Sequence, residues 1–140
     1  MEGLGVAASI VAVVDISTTV IAWCGRYVSG VKDAKGEKGQ LLHEVTELYY
    51  ISQKVKDLID GPYGPRLKAS SSLSHAIKDG EAKLNKLKVD LSTSRFHGIR
   101  GGSGIASLVW PFKAEEARKI IQDLARCTQM ISLALEVDQM

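Results

Sequence analysis

The chain has 140 residues, a length suited to one domain built round a single hydrophobic core. Its 45% apolar and 24% charged residues match a folded globular protein and exclude wholesale disorder. The net charge of +2 is unevenly spread, with eight Lys/Arg against three Asp/Glu over residues 66–100 and a balance of −2 over residues 37–65. Cys24 and Cys127 are the only cysteines, too few for a disulfide framework or a metal motif. Both fall in apolar helical patterns, where a free thiol acts as a small hydrophobe, and a reducing compartment is the simpler expectation.

The first element organises the rest. Gly3 to Cys24 is almost wholly apolar, and Asp15 is its only charge. It is about long enough to cross a bilayer, for which ~20 apolar residues suffice. A central Asp costs ~2.5–3.5 kcal/mol on insertion scales, so a plain span would resist it. Helical winding puts Ala8, Ala12, Asp15, Thr19, Ala22 and Arg26 on one small and polar seam. Val6, Ile10, Val13, Val14, Val20, Ile21 and Cys24 cover much of the remainder. Such a cylinder suits a soluble bundle with its seam to solvent, or a membrane with its seam toward other copies or water. Met1-Glu2-Gly3 lacks the basic start of a secretory signal, and Glu2 stands where myristoylation requires Gly. The segment is therefore expected to be retained.

The spacing predicts a first helix over 4–34 with a break near Gly25, since Gly25 and Gly30 each cost ~1 kcal/mol in a helix interior. Gly36 is its predicted stop. A second helix is predicted over 37–60, with Leu41, Val45, Leu48, Ser52, Val55 and Ile59 stepping by four and three. Gly61-Pro62-Tyr63-Gly64-Pro65 ends it. A third begins between Arg66 and Ser72 on the seam Leu73, Ile77, Gly80, Leu84, Leu87 and Leu91, where Gly80 would admit a neighbouring backbone. Residues 92–109, with four glycines between His97 and Ile105, are predicted as a flexible connection. Trp110-Pro111-Phe112-Lys113 then opens a last helix, with Glu115 and Glu116 in its first turn. Its seam is Ala117, Ile121, Leu124, Thr128, Ile131 and Leu135. No period-2 strand pattern is present. The expected fold class is all-α, a four-helix bundle with a hydrophobic N-terminal helix, forming one domain over 1–140 that belongs to a longer protein.

Catalytic chemistry finds no support in these residues. His43, His75 and His97 lie in three elements without ligand spacing, and Gly101-Gly102-Ser103-Gly104 lacks the Lys-Ser/Thr and the strand of a phosphate loop. Neither a nucleophile with its base nor a metal site is apparent, so no catalytic residue, cofactor or metal is assigned and the expectation is a non-enzyme. The basic excess, including Lys83, Lys86 and Lys88, is by default a solvated face. Among functional readings anionic lipid outranks nucleic acid, because aromatics are not interleaved with the charges and a span-length segment shares the chain.

Three stretches carry a family resemblance. Leu4-Gly5-Val6-Ala7-Ala8-Ser9-Ile10, Val31-Lys32-Asp33-Ala34 and Leu108-Val109-Trp110-Pro111-Phe112-Lys113, with the closing Ser132-Leu133-Ala134-Leu135, resemble the fungal HeLo-like (HELL) domain. That domain stands at the N-terminus of fungal NLR/STAND proteins and cell-death effectors, and is similar in principle to the HET-S HeLo domain and the four-helix domain of the mixed-lineage kinase-like pseudokinase. The likeness covers almost the whole chain, and its Trp-Pro-Phe element is the most specific part. It implies a bundle whose N-terminal helix is released to attack membranes after homo-oligomerisation. The trigger would be a C-terminal amyloid motif or an NLR partner. The protein would be cytoplasmic at rest and at the plasma membrane when active. On this reading Leu4, Val6, Ile10, Val13, Val14, Asp15 and Val20 form the inserting face, and Lys83, Lys86 and Lys88 contact lipid. The alternative is an adaptor of a fungal NLR that signals by helix–helix contact without lipid.

Overall fold

The structure, a computed structural model, describes residues 2–28, 35–62, 64–100 and 110–139, with side chains over 5–28, 35–62, 64–92 and 110–136. The described residues are all-α. Five helices follow one another: α1 (Glu2–Tyr27), α2 (Glu37–Ile59), the five-residue α3 (Gly64–Lys68), α4 (Ser71–Arg100) and α5 (Ala114–Gln139). Among the described residues, four of these helices are long and one is short. The short one is the turn of helix after Pro62, and Pro65 in its first turn needs no amide donor there.

The four long helices pack in a ring, α1 against α2 and α4, and α5 against α2 and α4. Local contacts fix their directions. A Cβ on Gly5 would stand 3.8 Å from Lys78 Nζ, which sets the start of α1 beside the first half of α4. Asp79 meets Cys127, whereas Asp90 and Glu116 line one groove, so α4 and α5 run antiparallel.

The core is a set of repeated steps of four and three. In α1 it comprises Val6, Ile10, Val13, Ser17, Val20, Cys24 and Tyr27; in α2, Leu41, Val45, Leu48, Ser52, Val55 and Ile59. Leu73, Ile77, Leu84, Leu87 and Leu91 continue it on α4, and Ala117, Leu124, Ile131 and Leu135 on α5. This 3.5-residue period keeps one seam of each helix facing its neighbours. Each large aliphatic side chain so buried contributes ~1.5–3 kcal/mol.

Four boundaries differ from the sequence reading. The first helix runs through Gly25 without a break and ends at Tyr27; Gly25 is exposed and its missing Cβ faces open space, so packing on the opposite face carries the helix past it. The earlier expectation for 29–34 lies outside the described residues. Gly36 begins α2 rather than ending α1: its backbone is extended, and its carbonyl accepts from Gln40 N at 3.0 Å. Residues 92–100, expected as a flexible connection, continue α4. They contain only Gly98 of the four glycines, and adding residues to an existing helix costs far less than nucleating one. Residues 101–109 lie outside the described residues.

Ser70 caps α4, its Oγ accepting from Leu73 N at 3.2 Å, a gain of ~1 kcal/mol over Ala. Gly80 admits a side chain, not a backbone, since a Cβ there would lie 3.9 Å from Leu48 Cδ2. That is ordinary contact distance. Gly64 differs, because its Cβ would collide with the Ile59 carbonyl oxygen. Gly80→Ala should therefore stabilise the protein by about 0.5–1 kcal/mol through helix propensity, whereas Gly64→Ala should destabilise it; urea titrations of the two variants read both signs.

The start of α5 is held by an aromatic cluster. Trp110 stands edge-on to Tyr27 and to Phe112, with ring centroids 5.2 Å apart in each pair. Lys38 Nζ lies 5.9 Å above the Trp110 ring. Phe112 is buried and Trp110 half-buried against the core. The cluster thus joins the end of α1, the start of α2 and the start of α5. Trp110→Ala should cost about 2–3 kcal/mol, below the ~3–5 kcal/mol typical of a fully buried aromatic, and thermal unfolding measures it.

Candidate membrane-active helix and charged groove

Residues Gly5–Tyr27 of α1 form a 23-residue stretch, long and apolar enough to cross a membrane, whose most apolar 18 residues have a mean hydropathy of 1.9. By length and composition alone a core helix of a soluble protein passes the same test. Its two faces are more informative. Val6, Ile10, Val13, Val14 and Val20 are all buried, so the residues expected to insert are the ones that hold α1 in the bundle. Leu4 lies outside the described side chains. Asp15 is exposed, with Ala8, Val11, Thr18, Ala22, Gly25 and Arg26 along the same outer face. Val11 is the large apolar residue there, 43% exposed. The small and polar seam therefore reaches the surface, and α1 is covered by neighbours only on its apolar side. Thr18 and Thr19 turn their hydroxyls back onto the Asp15 carbonyl at 2.7 and 3.3 Å, which satisfies them inside the helix.

The second feature is a groove of about 410 Å³ between α4 and α5. Leu87, Phe112, Ile120 and Leu124 form its apolar lining; Lys83, Lys86 and Lys119 alternate with Asp90, Glu116 and Asp123 around it. Two of the three lysines assigned to lipid stand here, opposite carboxylates that only the antiparallel pairing of α4 and α5 brings near. Lys88 is half-buried on the same helix. The three do not form a uniform positive patch.

Lys83 is further committed. Its ammonium donates to Asp79 Oδ1 at 3.0 Å, and the Cys127 thiol donates to Asp79 Oδ2 at 3.2 Å. This triad ties α4 to α5 and was not legible beforehand: an i,i+4 Asp–Lys pair is visible in sequence, but the thiol lies 48 residues away. Partial burial alone would raise the Asp79 carboxyl, yet the hydrogen bonds from Lys83 and Cys127 outweigh it and hold the group below its ordinary value. The same bond to Asp79 raises Lys83. Burial first, then the neighbouring Asp79 carboxylate, pushes the Cys127 thiol up to about 12. Cys127 is a donor here, not a nucleophile, since reactivity requires the thiolate. His43 lies 3.9 Å from Glu47 on an exposed face, and His75 is exposed; the His97 side chain lies outside those described. Among the described residues no group of three or more His, Cys, Asp or Glu could hold a metal ion.

A carboxyl whose folded value is depressed adds stability above its unfolded pKa, about 3.9, and loses it as pH falls through the folded value. The melting-temperature gap between wild type and Asp79→Asn should stay constant above about pH 5 and narrow steadily below about pH 4. Thermal melts of both proteins across the acid range check it.

In comparisons with protein families, curated proteins and solved structures, none matches this chain.

Proposed function

We propose that the protein is a membrane-permeabilising domain, a four-helix bundle with a short inserted helix, in which α1 leaves the bundle on activation and inserts into lipid after several copies assemble. One observation carries this reading: the face that buries α1 is span-length and aliphatic, and the seam it leaves outward is small and polar. An apolar face is equally satisfied by a protein core or by lipid tails. The outward seam with Asp15 is costly in a lone span and tolerable where copies cluster or water lines it. The resemblance of the Trp110-Pro111-Phe112 element and of the N-terminal pattern to the fungal HeLo-like domain supports the same reading. It brings with it an NLR or amyloid-forming partner, programmed cell death as the outcome, and a move from cytoplasm to plasma membrane. The role is non-enzymatic and involves no cofactor and no nucleic acid.

Lipid electrostatics are secondary in this reading. Each cation near an anionic surface contributes ~1 kcal/mol, but Lys83 is neutralised by Asp79 and Lys86 shares its groove with three carboxylates. Of the other two lysines assigned to lipid, Lys86 is exposed and Lys88 half-buried.

A second reading has its own observation. Met130 and Leu133, one turn apart on α5, are 46% and 51% exposed, a pattern suited to helix–helix contact with a signalling partner and no lipid. Dye-loaded vesicles separate the two. A charge at Val14 would break the core, so the informative variant is at exposed Val11. Val11→Glu leaves the bundle intact and sets a further carboxylate one turn from Asp15 on the outward seam, where like charges repel within each helix and between clustered copies. Assembled wild-type protein should release dye and Val11→Glu should release at least tenfold less, with unchanged circular dichroism. Equal leakage from both removes α1 as the membrane element, and no leakage from either favours the adaptor.

A further inference from the structure

The aliphatic seams of α1 and α2 are each interrupted once, and by the same residue type. Ser17 and Ser52 occupy core positions in the four-and-three repeat, and both are fully buried, at 0% exposure. Neither Oγ has a hydrogen-bond partner. The contrast lies in other hydroxyls of the long helices, three of them on α1 and α2 themselves. Thr18, Thr19, Thr46 and Thr128 all turn their hydroxyls onto a carbonyl three or four residues back, so the fold satisfies hydroxyls at and near the surface and leaves unpaired the two at its centre. A buried hydroxyl without a partner has lost its water and gained nothing in exchange. Alanine would fill either position with almost the same volume and no such penalty.

We infer that Ser17 and Ser52 form a built-in weakness of the α1 seam, which lowers the free energy needed to open α1 from the bundle. α1 packs on α2 and α4, so its departure readmits water to Ser17 directly and opens the core face of α2 that carries Ser52. The unpaired hydroxyls are penalised only while α1 is docked. That asymmetry is what a releasable helix requires: a term that differs between the two states shifts their balance, and one common to both does not. The inference deepens the membrane reading, on which its biological meaning rests, but its test needs no lipid.

Native-state hydrogen exchange of the α1 amides from Val13 to Val20, on the full chain, reads the opening equilibrium directly. Ser17→Ala and Ser52→Ala should each slow that exchange about five- to a hundredfold and raise the melting temperature, with a larger effect in the double variant. Thr18→Ala is the control, because it gives a similar gain in helix propensity at an exposed position whose hydroxyl is already paired. Exchange unchanged or faster in both serine variants overturns the inference, as does equal slowing in Thr18→Ala. Dye release by the same variants distinguishes the two levels. Slower exchange with unchanged leakage upholds the weakness in the seam and removes α1 release from the membrane reading, whereas slower exchange with reduced leakage supports both.

Discussion

Everything in this protein depends on where the apolar face of α1 is buried. The helix presents Val6, Ile10, Val13, Val14 and Val20 to one side, more aliphatic surface than water tolerates, and the other helices are arranged to cover it. α2 and α4 flank it, α3 touches it from the connection between them, and α5 closes the ring without being a main neighbour. The driving force is non-directional and proportional to area. It holds the helix firmly without specifying that protein, rather than lipid, must do the covering.

The polar groups show how that ambivalence is shaped. Asp15, Thr18 and Arg26 stand outward, so docking α1 leaves its charges in water. Ser17 and Ser52 stand inward without partners, so docking is less favourable than the aliphatic content suggests. At the far end Trp110 rests between Tyr27 and Phe112, fixing the end of α1 to the start of α5. The central seam thus holds the unpaired hydroxyls, and the aromatic cluster stands at its end.

The groove between α4 and α5 has a different character. Lysines and carboxylates both line it, and the Asp79, Lys83 and Cys127 contacts tie together the two helices that form it. α1 and α2 carry the two unpaired core hydroxyls. The basic excess of residues 66–100, conspicuous as a count, is partly spent on pairing within the protein.

The sequence by itself determined the helical class, the buried stripes of α2 and α4 and most of those of α1 and α5, where Ile21, Ile121 and Thr128 are only half-buried, because a period of four and three dictates which side must leave water. Each residue of the α2 stripe is buried, Ser52 included, and the Trp110–Phe112 element packs against the core as its size requires. What only the tertiary structure decided were the places where a distant neighbour overrides local propensity. Gly25 stays helical because packing on the opposite face outweighs its backbone entropy. Gly36 serves the following helix, since which of two helices claims a glycine depends on how the chain turns between them. Residues 92–100 remain helical by propagation from a packed helix, which propensity read residue by residue does not register. Cys127 meets Asp79, and Lys86 lies in a groove with acids of α5, because antiparallel packing places residues 30 or more apart side by side. Ser17 lies on the same repeat as Val13 and Val20, so its position was written in the sequence. That its hydroxyl has no partner was not, because hydrogen bonding depends on what stands opposite, and only the folded chain supplies that.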